Sequence, residues 1–600
     1  MKKYLLICLC FTYAYSFAQF VIPNPIVGGM TESSARIYVR TIQPESFTLE
    51  LSTDPNFGSG SIISLPDSTI NAEYRRRIVD VSDLMSETRY YYRFRFGNTV
   101  DAIQGSFKTF PVEGQKGYYK IVVGSCNYFQ NAPLFSSIQA FEPDLFLHLG
   151  DWNWPPSQFG NDMALYPDVM ANSFAARYAD ENMREYVQPY TPVDYIYDDD
   201  YSFNDSEGWT YPNHYVEVDS AGNVTNFFET VQMPEGIREG AIQGYFDNFP
   251  GYQQVDTSGI HHKFMLGNVE IFMLDERNSR TPRHDAFVYS PTSGLWAYQP
   301  PPGHTMLGPM QRDWLLDELQ NSDADWKIIG SGVVFNQGYD AILSVSMLIQ
   351  ELPVSLAGVE GSGGTLASNM AYNWVGYPED QNPLLELYQS GGVRDLVITS
   401  GDSHSSVIDD GTNAGIPELN ASGLASNDEG YLNYYIDSVG QFLGFDPVSE
   451  ILWNGGGNGV DNTNFSDTYG TIEIFGDDSL RMCVIDELDQ TLGCITLTHS
   501  SKVTDIESHI YPGNLFLQAL YPNPAKDQLK VMLDPTYRIT PSDYLTLKNL
   551  SGALVYEAKA SDFQENQLVI PLNTFAEGVY LLNYYGERGV ESRKIVVQKF

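Results

Sequence analysis

The sequence predicts a multidomain, β-rich protein in which a central α/β layered fold lies between two small β-sandwiches. The chain has 600 residues, which is too many for a single hydrophobic core. Its two end regions alternate apolar and polar residues with the period of half-buried strands, whereas the middle alternates apolar strands with helical stretches. Aromatic residues make up 13% of the chain, enough apolar material to pack several cores and to argue against disorder.

The first 18 residues are typical of a secretory signal peptide. Lys2 and Lys3 supply the positive charge, residues 4–15 form a short apolar stretch, and residues 16–18 offer small side chains at the cleavage positions. The apolar stretch is shorter than the roughly 20 residues that span a bilayer, and no later segment is long and apolar enough. We therefore expect an exported protein, secreted or at the cell surface, without a transmembrane segment.

The formal net charge of −42 argues against nucleic acids and anionic membranes as partners. Both would need a basic face, and the sequence contains no basic cluster. A solvated surface is the ordinary explanation of such acidity, and calcium binding is the alternative that the excess of carboxylates leaves open.

The cysteines are interpreted for an oxidising compartment, because export is predicted. Cys483 and Cys494 flank a predicted hairpin that turns near Leu488 and Asp489, and this spacing places them opposite each other, where a disulfide is able to form. Two other cysteines leave with the signal peptide. Cys126 is then left alone, which indicates either deep burial or metal ligation.

Residues 19–112 are predicted to form the first sandwich, similar to fibronectin or immunoglobulin domains in length. The segments ARIYVRT and RYYYRFRF alternate apolar and polar positions, and TDPNFGSG and LPDSTINAEY supply turns between strands. The length fits one small sandwich.

Residues 118–498 are predicted to form the central α/β unit. The strand YYKIVVGSC opens it, and apolar strands at 269–275 and 325–335 alternate with helical stretches such as PMQRDWLLDELQNS. Between residues 152 and 262 the chain is rich in Tyr, Asp, Asn and Pro with weak periodicity, which predicts loops that shape access to a site at the strand ends.

Residues 499–514 are predicted to be a linker, and residues 515–600 a second small sandwich. The segments YPNPAKDQLKVML, YLTLKNLSGALVYEA and GVYLLNYYGERGVESRKIVVQKF supply its strands.

Two strands of the central unit end in a Gly-Asp pair. The apolar run 145–149 leads to Gly150 and Asp151, and the run 396–398 leads to Asp402 and His404. Because open α/β sheets place their sites at the carboxyl ends of strands, these endings indicate a two-metal hydrolytic centre.

Seven short motifs follow one another along residues 118–430. They are VGSCN (123–127), PDLFLHLGD (143–151), YDDDYSFN (197–204), LDERNSR (274–280), MLGPMQRDWL (306–315), NWVGYP (373–378) and SGDSH (400–404). In this order and rough spacing they resemble the PhoD-type alkaline phosphatases, which belong to the calcineurin-like metallophosphoesterases. The resemblance implies a β-sandwich core flanked by helices in the central unit, and it makes the first sandwich similar to the fibronectin-like domain that precedes the catalytic domain in this family.

The last segment resembles the C-terminal sorting domain of type IX secretion substrates. The similarity rests on YPNP at 521–524, SG at 551–552, GVY at 578–580 and KIVVQ at 594–598. It implies that the tail is an export address read by the type IX secretion machinery and cleaved outside the cell.

The resemblance also implies a set of metal ligands. Asp151 would bridge two cations, and Asp402 and His404 match the family's GD-x-H, in which the His is a ligand. Cys126 matches the family's strand-end Cys, a thiolate ligand to iron, which suits a softer ion than calcium.

Further residues are implied at a second metal and at the substrate. Asn204 falls where the family has an Asn near a second metal, a calcium-type position, and Asp199 is the alternative there. Arg277, in the D-x-R of LDERNSR, either meets a phosphoryl oxygen or forms a salt bridge with a loop Asp.

The sequence departs from the family in two places. Trp154 occupies the position of a Tyr that ligates iron, and indole offers no lone pair to a metal. The family's DDH is DDD here, so Asp200 (or Asp199, in an alignment from the following residues) replaces the His. Asp200 would act as an acid only if the neighbouring carboxylates raised its pKa.

The resulting hypothesis is a secreted, metal-dependent phosphoesterase that hydrolyses phosphate mono- or diesters with a metal-activated hydroxide at a two-metal centre. Iron and calcium are implied by the resemblance, and zinc and manganese stay open. One alternative is a weakened PhoD-like surface or binding protein that keeps metal without turnover. Another is a structural adhesin, in which Asp151→Asn would change nothing.

Overall fold

The computed structural model describes most of the chain. It covers residues 19–597 apart from 23–24, 59, 61, 128–129, 153–162, 198–206, 213–216, 219–223, 227–229, 293, 349, 351–352, 357–358, 412–413, 426–450, 459–464, 503–516, 522–524, 527, 534–536, 550–553, 565, 577 and 587–588. The predicted signal peptide and most of the predicted linker therefore lie outside the described residues.

The first seven strands form two antiparallel sheets. They are β1 (Ile26–Gly28), β2 (Ala35–Arg40), β3 (Ser46–Ser52), β4 (Ile62–Ser68), β5 (Arg76–Val81), β6 (Arg89–Phe96) and β7 (Thr99–Lys108). The sheet orders are β1-β2-β5 and β4-β3-β6-β7. Every second residue of β6 is buried, because the side chains of a strand point alternately to the core and to the solvent.

The central part of the chain alternates strands and helices. Its elements are β8 (Tyr118–Gly124), α1 (Ala132–Phe141), β9 (Leu145–His148), α2 (Pro167–Arg177), β10 (Val193–Tyr195), β11 (Thr210–Pro212), β12 (Glu217–Val218), β13 (Val224–Asn226), β14 (Thr230–Gln232), α3 (Ile237–Asn248), β15 (His262–Leu266), β16 (Val269–Met273), β17 (Phe287–Ser290), β18 (Leu295–Tyr298), α4 (Gly308–Asn321), β19 (Trp326–Ser331), α5 (Tyr339–Leu348), β20 (Pro353–Leu356), β21 (Val359–Ser362), α6 (Gly363–Ala371), α7 (Pro378–Gln389), β22 (Leu396–Ser400), β23 (Ser405–Asp409), β24 (Glu418–Ala421), β25 (Ile451–Asn458), β26 (Phe465–Ser466), β27 (Thr468–Phe475), β28 (Ser479–Asp486) and β29 (Thr491–Thr498).

Two large mixed sheets organise this part. The six-stranded sheet has the order β10-β9-β8-β27-β28-β29, and the eight-stranded sheet has the order β15-β16-β19-β22-β24-β23-β25-β26. Strands β8, β9 and β10 run parallel in the first sheet, and β16, β19, β22 and β24 run parallel in the second. Parallel neighbours end at the same edge of a sheet, so each sheet gathers its strand-end loops at one edge.

The central parallel strands β16, β19 and β22 of the eight-stranded sheet are buried on both faces. Ile328 and Val397 belong to a large core cluster that also contains apolar residues of the six-stranded sheet. The next residues along the same strands, Ile329 and Ile398, belong to a second cluster with side chains of helices α4 and α7, including Leu315, Leu319, Leu384 and Leu385. Strands of this kind read as continuous apolar runs, because neither face meets water.

The predicted disulfide between Cys483 and Cys494 is confirmed. The two residues are direct partners in the antiparallel pair β28–β29, and the hairpin turns between Asp486 and Thr491. The bond lies at the edge of the six-stranded sheet, since β29 is its last strand.

Removing this disulfide is expected to destabilise the central unit. With a sequence separation of 11 residues, loop-closure entropy gives about 3 kcal/mol for the Cys483→Ala/Cys494→Ala double variant. Thermal unfolding with and without a reductant measures the effect. A wild-type protein that melts at the same temperature under both conditions would contradict it.

The last seven strands form two further antiparallel sheets. They are β30 (Leu517–Tyr521), β31 (Gln528–Leu533), β32 (Tyr544–Asn549), β33 (Leu554–Lys559), β34 (Gln567–Pro571), β35 (Gly578–Gly586) and β36 (Gly589–Val597). Their orders are β30-β31-β34 and β33-β32-β35-β36, and their apolar side chains form a core cluster of their own. Before them, His499 and Ser500 hydrogen-bond to the backbone of Asp325 and to the carboxylate of Asp395, so the start of the predicted linker is held against the central unit.

None of the helices within the described ranges combines the length and the apolar character that a membrane crossing requires.

Candidate metal centre

Two neighbouring strand ends bring Cys126 and Asp151 together. Strands β8 and β9 are parallel partners, with Gly124 opposite His148. Beyond their ends the backbones stay in contact, since the Cys126 N–H donates to the Gly150 carbonyl at 3.3 Å and the Asn127 N–H to the Asp151 carbonyl at 3.2 Å. The loops after the two strands therefore run side by side.

The loop after β22, from the other sheet, completes the cluster. The Cys126 sulfur, an Asp151 carboxylate oxygen and a His404 ring nitrogen all lie within 4.8 Å of one another. Cys126 and Asp151 are buried, and His404 is half-buried. The structure thus brings together three of the predicted ligands, and Asp402 lies on the same short loop as His404.

All four of these residues have left-handed backbone conformations. The φ angles are 62° at Cys126, 55° at Asp151, 67° at Asp402 and 53° at His404. Such a conformation costs a residue with a Cβ on the order of 1–3 kcal/mol, and it persists only where the surrounding structure holds it in place. Four such residues lie in the loops after β8, β9 and β22. This indicates that the positions of the side chains, and not the preferred backbone conformation, determine the local structure.

The glycine before Asp402 allows the two sets of loops to approach. A Cβ on Gly401 would lie 2.8 Å from the Leu149 carbonyl oxygen and 2.8 Å from the Ser125 hydroxyl. These distances are shorter than a carbon atom tolerates, so only glycine permits the loops of both sheets to meet here.

The electrostatics of the cluster favour a cation. Burial raises the pKa of the Cys126 thiol well above its ordinary value, and the negative charges of Asp151 and Asp402 raise it further, whereas hydrogen bonds with Ser125 and Ser422 lower it. One buried arginine, Arg277, lies beside two carboxylates here, so a metal ion would supply further positive charge.

The donor atoms also fit such an ion. A sulfur, an imidazole nitrogen and a carboxylate oxygen are ligands of zinc- or iron-like ions. Because these atoms bind at about 2.0–2.3 Å, ligands on opposite sides of one ion are up to about 4.6 Å apart, close to the 4.8 Å within which these three atoms lie. The residues present therefore fit the metal that the sequence predicts.

Arg277 lies beside this cluster. Its Nη2 is 3.8 Å from Oδ2 of Asp402, and its guanidinium lies over the ring of Tyr372 at 4.7 Å. Its backbone N–H donates to the Asp275 carboxylate at 3.0 Å. The side chain is fully buried. The geometry is compatible with both predicted roles, a salt bridge with a loop Asp and contact with a phosphoryl oxygen. An arginine at this distance from Asp402 is also close enough to contact an anion bound at the cluster.

The structure adds His148, which the sequence analysis missed. It is fully buried, its ring stacks on Trp152 with centroids 5.0 Å apart, and its Nε2 lies 2.9 Å from Oδ1 of Asn127. Burial, with the nearby Arg177 charge, lowers its pKa to about 3, so the ring is neutral. It anchors the residue after Cys126. Its place in the motif PDLFLHLGD was the signal available.

Asp199, Asp200 and Asn204, predicted at the second metal and at the leaving group, lie outside the described residues, as does Trp154. Their roles stay predictions.

A buried carboxyl group holds the end of β22. Glu418 Oε1 accepts hydrogen bonds from the Ser400 hydroxyl at 2.5 Å and from the Phe335 N–H at 2.9 Å. Burial raises the pKa of Glu418 from 4.5 to about 7, against the hydrogen bonds that lower it. The loop with Asp402 and His404 therefore starts from a strand end that a titratable group fixes.

This group is expected to make stability depend on pH. The folded protein retains a proton on Glu418 between pH 4.5 and about 7, whereas the unfolded chain releases it, so the contribution to stability falls as the pH rises through this window. Glu418→Gln removes the titration. We expect the stability of this variant relative to wild type to increase by about 3 kcal/mol from pH 4.5 to pH 8.

Urea denaturation of both proteins at the two pH values measures the change. Glu113→Gln, at an exposed position, is the control, and its free energy of unfolding should differ from that of wild type by the same amount at both pH values. A difference between Glu418→Gln and wild type that does not change with pH would contradict the prediction.

Comparison with known proteins gives matches to two families and to a curated relative. Residues 121–434 match the PhoD-like phosphatase family, and residues 519–598 match the secretion system C-terminal sorting domain. Alkaline phosphatase D of Bacillus subtilis (strain 168) is 22% identical over 348 residues, which are 55% of this chain and 53% of that protein. The chain thus spans about half the length of this curated relative.

A solved structure described as "Structure of PhoD" has a similar fold. The TM-score is 0.55 with 17% sequence identity, and the likeness covers 81% of this chain and 90% of the other. The likeness extends well beyond residues 121–434 and establishes a fold of this type for the greater part of the chain.

Proposed function

The chain belongs to the PhoD-like phosphatase family, and from this premise we propose that it is a metal-dependent phosphoesterase that acts outside the cell. The observation that supports this most is the convergence of Cys126, Asp151 and His404 from two sheets into one cluster of donor atoms. A metal site at adjoining strand ends is where an α/β fold places catalytic groups. The substrate class is small phosphate mono- or diesters.

The place of action follows from the sorting domain. Residues 519–598 are a type IX sorting domain, so the protein is exported to the cell surface or the extracellular space. The type IX secretion machinery is accordingly its partner during export. The phosphoester substrate would be met after export.

Cys126, Asp151, Asp402 and His404 would hold the first metal ion. Asp151 would also serve a second ion, to which Asn204 or Asp199 would contribute an oxygen. When bound, the metal ions would activate a water as the nucleophile and offset charge on the phosphoryl oxygens. The sulfur favours iron or zinc at the first position, and an amide oxygen suits calcium at the second.

Arg277 would orient the substrate. Its buried guanidinium faces Asp402, and in a site shielded from water an N–H donor to a phosphoryl oxygen is worth more than at a surface. The ring of Tyr372 packs against the guanidinium, and the Asp275 carboxylate accepts a hydrogen bond from the Arg277 backbone N–H. Asp200 would protonate the leaving group, provided that the neighbouring carboxylates keep it protonated.

Release of p-nitrophenol from its phosphate mono- and diesters tests the proposal. The purified protein, assayed with iron, zinc, manganese and calcium, is expected to hydrolyse at least one of the two esters. Metal content is measured on the same sample. A folded protein that binds metal but hydrolyses neither ester would favour the alternative, a PhoD-like surface protein without turnover.

Changing Arg277 to Lys is expected to lower kcat/KM by about 10- to 100-fold. Lysine keeps the charge but loses the bidentate hydrogen bonding that matches a phosphoryl group, and it also loses the stacking on Tyr372. Steady-state kinetics with p-nitrophenyl phosphate measure the loss. Arg312→Lys is the matched control, since that arginine pairs with Asp313 on α4. Equal kcat/KM values in both variants would contradict the assigned role.

A further inference from the structure

Two buried serines connect the strand-end loops through the sulfur of Cys126. Ser125 directly precedes Cys126, and Ser422 directly follows β24; both are fully buried. Ser422 Oγ lies 3.0 Å from Ser125 Oγ, 3.2 Å from Cys126 Sγ and 3.0 Å from the backbone nitrogen of His404. The Ser422 hydroxyl therefore contacts two predicted ligands, Cys126 at its sulfur and His404 at its backbone N–H.

The directions of these hydrogen bonds follow from the number of protons. A serine hydroxyl has one proton to donate and two lone pairs that accept. Ser125 Oγ lies 3.4 Å from the Cys126 sulfur but donates its one proton to Ser422, at the shorter distance of 3.0 Å, and the His404 N–H donates to the same Ser422 oxygen. Both lone pairs of Ser422 are then occupied, so its own proton is directed to its third neighbour, the Cys126 sulfur.

This series of hydrogen bonds begins at the loop after β22. The Asp402 N–H donates to Ser125 Oγ at 3.4 Å, and the Ser125 hydroxyl donates to Ser422. The backbone N–H groups of Asp402 and His404 thus donate into a series of hydrogen bonds that ends at the Cys126 sulfur. On its other side the Cys126 thiol donates to Oδ2 of Asp151 at 3.5 Å. The sulfur thus accepts from Ser422 whether or not it carries a proton of its own.

We propose that Ser422 is a positioning residue of the metal centre, whose hydroxyl donates a hydrogen bond to the ligating sulfur of Cys126. The bond fixes the direction of the sulfur lone pairs and withdraws electron density from them. Hydrogen bonds to a ligand sulfur adjust metal affinity and electronic properties. The inference depends on the proposed function only in that Cys126 ligates a metal, and it does not require hydrolysis.

The test uses cobalt(II) as the probe ion in the full-length protein. A thiolate bound to cobalt(II) gives a sulfur-to-metal charge-transfer absorption in the near ultraviolet, whose energy reports the electron density on sulfur. In Ser422→Ala the sulfur loses its donor, so the band should move to longer wavelength and the cobalt affinity should fall about 10-fold. Ser422→Thr keeps the hydroxyl and should restore both.

Ser406→Ala is the matched control. Its hydroxyl is also fully buried and bonds to another hydroxyl, Thr468 Oγ1, at 2.8 Å, so its loss is comparable but does not involve the sulfur. Its band should equal that of wild type. If circular dichroism shows that Ser422→Ala does not fold, Ser422→Gly replaces it, because it also lacks the hydroxyl, adds no new metal ligand and predicts the same shift.

A folded Ser422→Ala protein with the wild-type band and affinity would overturn the inference, and so would a wild-type protein without any sulfur-to-cobalt band. A band that shifts as expected in a protein that hydrolyses no phosphoester would support the inference while the proposed function fails. The two failures are therefore distinguishable.

Discussion

Replacing Asp151 by Asn is expected to lower kcat/KM for phosphoester hydrolysis by about 10³-fold or more, which corresponds to about 4 kcal/mol of lost transition-state stabilisation. The change removes a negative charge from the buried centre of the cluster and leaves an amide whose single oxygen is a poor bridge between two cations. Bound metal should decrease in parallel, as measured by elemental analysis of the purified variant.

Asp144→Asn is the matched control for this change. Asp144 lies just before the same strand, β9, at the opposite end from Asp151, and its carboxylate pairs with Lys108 at 3.2 Å. It loses the same charge without contact with the cluster, and its kcat/KM should stay within about twofold of wild type because the change lies at the far end of the strand. An Asp151→Asn variant with both the activity and the metal content of the wild type would contradict the role assigned to Asp151 and favour the adhesin hypothesis.

Replacing Gly401 by Ala is expected to lower kcat/KM by about 100-fold, because a displacement of about 1 Å at a catalytic centre has effects of this size. The new methyl group would lie 2.8 Å from the Leu149 carbonyl oxygen, a backbone atom that cannot rotate away. The loops that carry Asp151 and Asp402 would have to separate. Overpacking of this kind also costs about 1–3 kcal/mol of stability.

Kinetics, metal content and thermal unfolding of the Gly401→Ala variant measure these effects together. Gly97→Ala is the control, because a Cβ there meets no atom within 4 Å. Its only cost is the backbone strain of an alanine at a φ of 56°. The control should lose some stability and keep its activity. A Gly401→Ala protein with full activity would show that the two loops do not need their present separation.

Much of the fold was accessible to sequence reasoning because it rests on local patterns. The alternation in β6 predicted a strand with one buried face, and the structure has that burial pattern. The apolar runs that became β19 and β22 predicted buried strands, and both faces of the sheet around them are covered. The facing positions of Cys483 and Cys494 followed from spacing about a turn.

The site was accessible only in part. Gly-Asp pairs after apolar runs pointed to Asp151 and to the loop with His404, and its lack of a disulfide partner pointed to Cys126, because these features are visible in the sequence alone. Ser422 carried no such signal, because nothing near it in the chain distinguishes it from any other serine, and its meaning comes from a contact with Cys126 across 296 residues. Glu418 was missed for the same reason, as burial of a carboxyl group is decided by the packing around it.

The amino-acid sequence by itself determined which segments become strands, which family the central unit resembles and which donor types stand ready to bind a metal, because these depend on neighbours within a few residues. Only the tertiary structure decided that the loop after β22 places His404 against the loops after β8 and β9. Gly401 allows these loops to come into contact because it has no side chain. The physical reason is that two sheets must pack face to face before their edges meet, and the distances between those edges are set by side chains contributed from the whole length of the central unit.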